Sequence, residues 1–405
     1  MSLYRFSLSL ALVTAGWSSG AISHEVKQEF IPKGVTAKTG GYSPIRAVMD
    51  EKAELFKKEP DGLKAQKYGK ITIEGESWGF LLNEPEEGEA TLFIDSNRDG
   101  DLTNDPAVEW KGVKNEASGL TQYNGKAEIK LPDGNLGAIG LYRFDPKDEK
   151  RAQLKDTVMF YLDFGYEFMF KLDDKEFSTF VAGVPKPNGS LALDRDGNGI
   201  ISSRLERAKI GEPFNFTGTT YEIRVLDGKL LVGKSEKELP QSPMPPDLRI
   251  GKTAIEFTAT KMDGEKVTFP GSFAGKVVML DFWATWCGPC IAEIPNMKVA
   301  YEEWHDKGFE ILGISLDREG EEEKVQKFLE ARELPWPQVY EGKAWDVEIA
   351  RTYDVSGIPF VLLVDGDSGK ILGTSRQLRG EGLSEFIGKQ LEKKESSAKT
   401  SANEE

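Results

Sequence analysis

Two cysteines, Cys287 and Cys290, carry the strongest chemical signal in this sequence, and they are its only cysteines. They follow the apolar run Val277–Phe282 and precede a helical pattern, so the first thiol is expected at a helix N-terminus. Free backbone N–H groups and the helix dipole favour a thiolate there, which is a nucleophile near neutral pH. The second thiol lies one turn further along, where it can attack a mixed disulfide and release a reduced product.

Two alternatives exist for this pair of cysteines: a structural disulfide and half of a metal site. A disulfide that closes so short a loop constrains the unfolded chain little. A metal would need two more soft ligands, and the only histidines, His24 and His305, do not stand near the pair in the sequence. The spacing and the placement therefore favour redox chemistry.

Acidic and aromatic residues flank the pair. Asp281 stands inside the apolar run, where burial would raise the pKa of its carboxyl and let it exchange a proton with Cys290. The alternative is an aspartate at a strand end that reaches solvent. Glu293, one turn beyond Cys290, is either an active-site acid or a solvated acid favoured by the helix dipole. Trp286 is expected to shield the disulfide.

Composition narrows the possible functions. The 405 residues include 52 Lys and Arg against 67 Asp and Glu, and this net charge of −15 argues against binding to nucleic acid or anionic lipid. Hydrophobic residues make up 39% of the chain, which is enough for buried cores. A scaffold stapled by many disulfides is excluded by the cysteine count.

The N-terminus has the pattern of an export signal. Residues 1–23 carry one basic residue and no acidic one, and the apolar run Phe6–Trp17 is too short for a membrane span of about 20 residues. Small residues at Ala21 and Ser23 place the expected cleavage before His24. An uncleaved anchor is the alternative. No later segment is apolar enough to span a bilayer, so we expect an exported protein, soluble after signal cleavage.

Residues 24–238 show short alternating runs broken by Gly, Asn and Asp, which predict a mainly β region, possibly of two repeated units. Apolar spacing predicts one helix over Ile45–Lys58 and allows a second over Ser203–Lys209. Four prolines in residues 239–247 favour an extended linker. The tail, residues 394–405, lacks apolar periodicity and is expected to be mobile.

Residues 248–393 alternate strand and helix patterns. The predicted strands are Val277–Phe282, Phe309–Leu316, Phe360–Asp365 and Lys370–Gly373, and the predicted helices are one after the cysteine pair, Glu321–Arg332 and Leu383–Lys393. Strand, helix and strand followed by a late hairpin and a helix describe an α/β sandwich.

Three separated motifs in this region carry a family resemblance. They are the segment Asp281–Cys290 (DFWATWCGPC) with Glu293, the segment Gly313–Asp317 (GISLD) and the segment Gly357–Phe360 (GIPF). Their order and spacing along the chain agree with those of one family. Together they resemble exported thiol-disulfide oxidoreductases of the TlpA/ResA type within the thioredoxin-like redoxin superfamily. The resemblance covers about residues 248–393 and implies a thioredoxin-like fold, a mixed central sheet flanked by helices. It does not extend to the β-rich region.

The resemblance also implies roles for site residues. Cys287 would be the attacking thiol and Cys290 the resolving thiol of a redox-active disulfide. Pro359 would be cis and packed against the disulfide, with Ile358 offering backbone hydrogen bonds to an extended substrate, and Trp286 beside it. A plain trans turn is the alternative for Pro359. The acidic residue Asp281 is a feature in which the site resembles thioredoxin itself more than many exported relatives.

The implied activity is reduction of protein disulfides outside the cytoplasm of a bacterium, in the periplasm or an equivalent compartment. The Gly-Pro dipeptide between the cysteines resembles thioredoxin, whose potential of about −270 mV is strongly reducing. The expected partners are protein thiols and disulfides and a membrane thiol electron donor, and no cofactor is required. One alternative is a thiol peroxidase, whose Pro-x-x-x-Thr-x-x-Cys loop is absent. The other is a calcium-dependent or partner-binding β module with an accessory redox domain.

Two loops of the β-rich region share the first half of a calcium-loop pattern, with oxygen ligands at positions one, three and five and glycine at six. The candidate ligands are Asp95, Asn97 and Asp99 in one loop and Asp194, Asp196 and Asn198 in the other. Position twelve holds Pro106 and Leu205 instead of glutamate, so Asp105 or Glu206 could substitute only if the loop geometry shifts. The alternative is a pair of Asp/Asn/Gly turns between strands.

Overall fold

The computed structural model describes residues 23–402, except for Glu25, Ala107, Ala117 and Asp227. Nearly all of the predicted signal peptide therefore lies outside the described residues. Within the described range the chain divides into two units. The first comprises residues up to Ile201 together with Glu206–Pro243, and the second comprises Ser202–Leu205 together with the chain from Met244 onward.

The first unit is built almost entirely from short strands. Its elements are β1 Ser23–His24, β2 Lys27–Ile31, α1 Val35–Thr39, β3 Ile45–Val48, β4 Gln66–Ile73, β5 Glu76–Asn83, β6 Thr91–Ile94, β7 Lys111–Lys114, β8 Thr121–Lys130, β9 Leu136–Arg143, β10 Thr157–Leu162, β11 Gly165–Leu172, β12 Lys175–Ala182, β13 Ser190–Ala192, β14 Arg207–Lys209, β15 Pro213–Asn215, β16 Thr220–Leu226 and β17 Lys229–Lys234. Short 3-10 turns cover Ala53–Leu55 and Glu149–Leu154.

The strands of the first unit pair in antiparallel fashion, as the alternating runs predict. Their orders are β3-β10-β9-β8-β7, β4-β5-β6, β12-β11-β2, β1-β17-β16-β15 and β13-β14. The two larger apolar clusters between them lie around Trp78 and Phe160 and around Phe168 and Tyr221, and a smaller one contains Phe56 and Leu81. The mainly β character of this region is thus confirmed.

Both helices predicted in this region are wrong. Ile45–Val48 is strand β3, and it pairs with Thr157–Phe160 of β10, so sheet pairing overrides the apolar spacing there. Arg207–Lys209 is strand β14, which pairs with β13 and buries Ala208 between exposed neighbours. The one α-helix described in this unit, α1, was not predicted.

The second unit alternates strands and helices. Its elements are β18 Phe257–Thr260, β19 Lys266–Phe269, β20 Val277–Trp283, α2 Gly288–Trp304, β21 Phe309–Ser315, α3 Glu322–Arg332, β22 Gln338–Tyr340, α4 Glu348–Thr352, β23 Phe360–Asp365, β24 Ile371–Thr374 and α5 Leu383–Ala402. The predicted strands and helices match β20, α2, β21, α3, β23, β24 and the start of α5 to within a few residues, whereas β18, β19, β22 and α4 were not predicted.

The central sheet has the order β22-β21-β20-β23-β24. β20 is parallel to β21 and antiparallel to β23, so the sheet is mixed, as the resemblance implies. Side chains from β20 alternate between two cores. Val277 and Met279 pack with α2 and α5, whereas Val278, Leu280 and Phe282 pack with α3, α4 and the β18-β19 hairpin. Helices thus cover both faces of a thioredoxin-like sheet.

The predicted mobile tail is helical in the structure. α5 continues through Ala402 instead of ending near residue 393. The Nζ atom of Lys394 lies 2.6 Å from Oδ1 of Asp365 and also contacts Asp367, so this turn of the helix is tied to the end of β23. Among the described residues, none of the helices combines the length and apolar character that crossing a bilayer requires.

Candidate redox site

The cysteine pair lies where the central strand β20 gives way to helix α2. Cys287 is the N-cap of α2, and its Sγ atom accepts a hydrogen bond from the backbone N–H of Cys290 at 3.2 Å. The two cysteines form a disulfide with an S–S distance of 2.03 Å. Both are buried, with 4% and 5% of their surface exposed. The sulfur atoms thus occupy the dipole-favoured position that the sequence predicts.

Sheet register brings the Gly357–Phe360 motif to the same place. Phe360, the first residue of β23, pairs with Phe282 of β20. Pro359 therefore lies level with Trp283, beside the segment that leads into Cys287. The Ile358–Pro359 peptide bond is cis, as predicted. The loop that carries the backbone of Ile358 thus lies beside the start of the segment that leads to the disulfide.

Asp281 is buried in the sheet, as predicted, with 6% of its surface exposed. Its neighbours across the strands are Gly313 on β21 and Val361 on β23, and neither has a polar side chain. Burial raises the pKa of the Asp281 carboxyl to about 7, although the positive charge of Arg379 lowers it in part. The group can therefore gain or lose a proton near neutral pH.

Glu293 holds a neighbouring loop. It lies half-buried on α2, and its Oε2 atom accepts hydrogen bonds from the backbone N–H of Gly380 at 2.9 Å and from Nδ2 of Asn296 at 3.1 Å. The solvated first-turn acid that the sequence allowed is therefore not what the structure contains. Glu293 connects α2 to the loop that precedes α5.

Asp317 is a contributor whose part in the site the sequence did not reveal. It is fully buried, and it accepts hydrogen bonds from the backbone N–H of Thr285 at 3.0 Å, from the Thr285 hydroxyl and from the Ser315 hydroxyl. These bonds fix the turn between β20 and Cys287. Asp317 is the last residue of the GISLD motif, so the sequence marks the position. It does not show that this side chain binds the turn before Cys287.

An exposed aromatic pair borders the disulfide. Trp286 has 47% of its surface exposed and Trp345 has 40%, and their ring centroids are 6.0 Å apart. Trp345 lies in a 3-10 turn, Ala344–Asp346, far from the CxxC motif in sequence. Its place at the site therefore depends on folding, and no local pattern points to it.

The candidate calcium loops both follow strands in the first unit, and in both the first aspartate accepts hydrogen bonds from backbone N–H groups of its own turn. In the first loop Asp95 accepts hydrogen bonds from the N–H groups of Asp99 and Gly100, and the side chains of Asn97 and Asn104 donate to Asp99. Asp105 accepts from the backbone and hydroxyl of Ser96. These contacts build a turn, and calcium binding by this loop stays a prediction.

The second loop brings three carboxylates together. Ligand oxygens of Asp194, Asp196 and Glu206 all lie within 4.8 Å of one another, and Glu206 is fully buried. Asn198 donates from its amide to Asp196 at 2.6 Å. Glu206 is the acid that stands one residue beyond position twelve, so the loop geometry has brought it in. Calcium binding itself stays a prediction.

A cavity of about 780 Å³ opens in the first unit beside β8, β9 and β10. The rings of Tyr42 and Tyr161 stack there with centroids 4.1 Å apart, and Tyr142 meets Tyr42 edge-on. Gly140 provides room for the Tyr161 ring, since a Cβ atom there would lie 2.0 Å from it. The volume is in the range of small-molecule sites. Partner binding by this unit stays a prediction.

Comparisons with known proteins agree on the second unit. Residues 250–372 match the AhpC/TSA family. Thiol-disulfide oxidoreductase ResA of Bacillus thuringiensis subsp. konkukian is 35% identical over 146 residues, which cover 36% of this chain and 79% of that protein. ResA of Geobacillus kaustophilus is 33% identical over 117 residues, covering 29% and 63%. The thioredoxin domain of a thiol-disulfide oxidoreductase from Bacteroides vulgatus is 33% identical, covering 36% of this chain and 99% of that one, with a TM-score of 0.32.

Replacing Asp281 with asparagine should stabilise the oxidised protein increasingly as pH rises. The folded-state pKa near 7 lies above the ordinary value of 3.8, so ionisation of Asp281 costs the folded state stability between these two pH values. An asparagine in its place avoids that cost. We expect the stability difference between Asp281→Asn and the parent to grow by about 2 kcal/mol from about pH 5.5 to about pH 8, measured by urea unfolding.

The matched control is Glu381→Gln, which removes an exposed acid from the nearby loop. Its effect on urea unfolding should not change between the two pH values. If Asp281→Asn shows the same pH-independent difference as this control, the carboxyl of Asp281 does not titrate near neutrality.

Proposed function

The chain belongs to the ResA family of thiol-disulfide oxidoreductases, and we propose that it reduces protein disulfides outside the cytoplasm. The observation that carries the proposal is the Cys287–Cys290 disulfide at the N-terminus of α2, beside the cis-proline loop. This arrangement combines an activated sulfur, a second thiol within reach and a backbone edge for an extended polypeptide.

The proposed reaction transfers two electrons from the dithiol to the substrate. The Cys287 thiolate attacks one sulfur of a substrate disulfide, forming a mixed disulfide and expelling the other substrate sulfur as a thiolate, which takes a proton from water. Cys290 then loses its proton to the carboxylate of Asp281 and attacks the sulfur of Cys287. This step closes the Cys287–Cys290 disulfide and releases the second substrate sulfur as a thiolate, which takes a proton from water. The enzyme must then be reduced again by an external dithiol.

The cis-proline loop is proposed to hold the substrate. Ile358 lies at the open end of β23, where its backbone can pair with an extended chain that carries the target disulfide. Trp286 and Trp345 provide an exposed apolar surface on another side of the disulfide. Such a surface suits polypeptide segments that are not yet folded, because these expose apolar side chains.

We further propose that the protein is exported and that a membrane donor supplies its electrons. The apolar run in residues 1–23 supports export to the periplasm or an equivalent compartment. In that compartment the disulfide of the oxidised enzyme needs a donor, and we propose a membrane thiol relay. The Gly288-Pro289 dipeptide supports the reducing direction, since thioredoxin carries the same pair.

Calcium binding by the second Asp/Asn/Gly loop is a second candidate function. It is favoured by the convergence of Asp194, Asp196 and Glu206, because Ca²⁺ prefers several carboxylate oxygens in a flexible loop. Asn198 at position five could add an amide oxygen. The first loop, Asp95–Gly100, has the same spacing, but among the described residues no group of three acids converges there. We therefore expect weaker calcium binding there.

Serine substitutions should separate the roles of the two cysteines. Cys287→Ser should abolish disulfide reduction, because no other thiolate can start the exchange. Cys290→Ser should still attack but cannot resolve, so mixed disulfides with substrate proteins should accumulate as adducts on a non-reducing gel. Equal adduct formation by the two variants would contradict the assigned order of the cysteines.

Calcium should raise the unfolding temperature of the full chain if the second loop binds it. Binding to the folded state alone stabilises by mass action, and affinities of about 10⁻⁴–10⁻³ M are typical of extracellular modules, so the shift should be measurable at millimolar Ca²⁺. Asp194→Asn should abolish this shift, whereas Asp174→Asn, which changes an exposed turn residue, should retain it. Absence of any calcium-dependent shift in the parent chain would leave both loops as plain turns.

A further inference from the structure

The loop between β24 and α5, residues 375–382, contacts the redox site at several points. The guanidinium of Arg379 donates a hydrogen bond to the carbonyl of Pro359. The backbone N–H of the next residue, Gly380, donates to Glu293 at 2.9 Å. At the start of the loop, the Ser375 hydroxyl accepts a hydrogen bond from the N–H of Val361 at 2.9 Å. One short segment is therefore bound to the cis-proline, to β23 and to α2.

Arg379 is the charged group of this loop that acts on Asp281. Its positive charge is the contribution that lowers the pKa of the buried carboxyl against the effect of burial. The cross-strand neighbours of Asp281, Gly313 and Val361, cannot supply a charge. Among the charged groups of the described residues, Arg379 is therefore the one that counteracts the effect of burial on this carboxyl.

Two carboxylates on the helices of this face have partners of their own. On α2, Glu293 binds Gly380 and Asn296, and Cys290 is in the disulfide. On α5, Glu385 pairs with Lys389 at 2.5 Å. Arg379 is the charged group that acts on the pKa of Asp281, so we expect its removal to change the titration of this carboxyl.

We propose that Arg379 is a positioning residue of the redox site: it holds the carbonyl of the cis-proline, and its positive charge favours the carboxylate of buried Asp281. The inference rests on the proposed exchange at Cys287 and Cys290, in which Asp281 accepts the proton of Cys290. With Arg379 present, more of the Asp281 carboxylate is ionised at neutral pH, so Cys290 loses its proton more readily and resolves the mixed disulfide faster.

A chromogenic aromatic disulfide separates the two steps in the reduced full-length chain. Attack by Cys287 releases a first equivalent of coloured thiolate, and attack by Cys290 on the mixed disulfide releases a second. The second phase reports the proton transfer to Asp281, and its rate is measured against pH. The first phase reports the Cys287 thiolate alone.

Arg379→Gln should move the midpoint of the second-phase pH profile upward by about one unit, which lowers its rate at pH 7 about fivefold. Arg379→Lys keeps the charge and should restore most of that rate. The matched control is Arg376→Gln, which removes an exposed arginine from the same loop; Arg376 makes no hydrogen bond or ion pair within the described residues. This control should leave the profile in place.

A double variant shows whether the effect passes through Asp281. In the Asp281→Asn background, Arg379→Gln should no longer shift the second-phase profile, because the group on which the charge acts is gone. A shift that persists there, or a shift in Arg379→Gln no larger than in Arg376→Gln, would overturn the proposal. A first phase that is missing from the parent chain would instead refute the proposed exchange, so the two failures are distinguishable.

Discussion

Antiparallel pairing of β20 with β23 is the constraint on which the redox site depends. It places Phe360 opposite Phe282, and therefore sets Pro359 beside the chain that leads to Cys287. The same strand, β20, delivers Asp281 to the interior and Cys287 to the N-terminus of α2. A shift of this register by one residue would turn Asp281 to the other face of the sheet and separate the proline from the disulfide.

Burial and charge act against each other at Asp281. The apolar neighbours on β21 and β23 favour the neutral acid, whereas Arg379 favours the carboxylate. A pKa near 7 lets one group accept a proton when Cys290 attacks and return it when the disulfide is reduced again. Burial of this acid lowers the stability of the folded state at neutral pH. The same burial gives Asp281 the pKa of a proton acceptor near neutral pH. Glu293 and Arg379 contribute from outside the sheet by holding the 375–382 loop against it.

Much of this unit could be predicted from the sequence, because its information is local. The run Val277–Phe282, the CxxC motif and the cis-proline motif each mark a strand or helix end, and register alone brings them together. Arg379 and Trp345 could not be predicted, since each reaches the site from a loop distant in sequence. In the first unit, sheet pairing overrode the helical spacing at Ile45–Val48. At the second Asp/Asn/Gly loop, position twelve is Leu205 and has no carboxylate. The fold instead brings Glu206 close to Asp194 and Asp196, which the loop pattern alone does not predict.

The reduction potential of the Cys287–Cys290 pair in the full-length chain tests the central claim most directly. The protein is equilibrated with dithiol/disulfide buffers of known potential, alkylated and measured by mass spectrometry. This gives the fraction of protein with the disulfide at each buffer potential. If the protein is a reductase, the potential should lie near that of thioredoxin, about −270 mV. A value near the strong periplasmic oxidants, about −120 mV, would contradict the assignment and make the chain a disulfide donor.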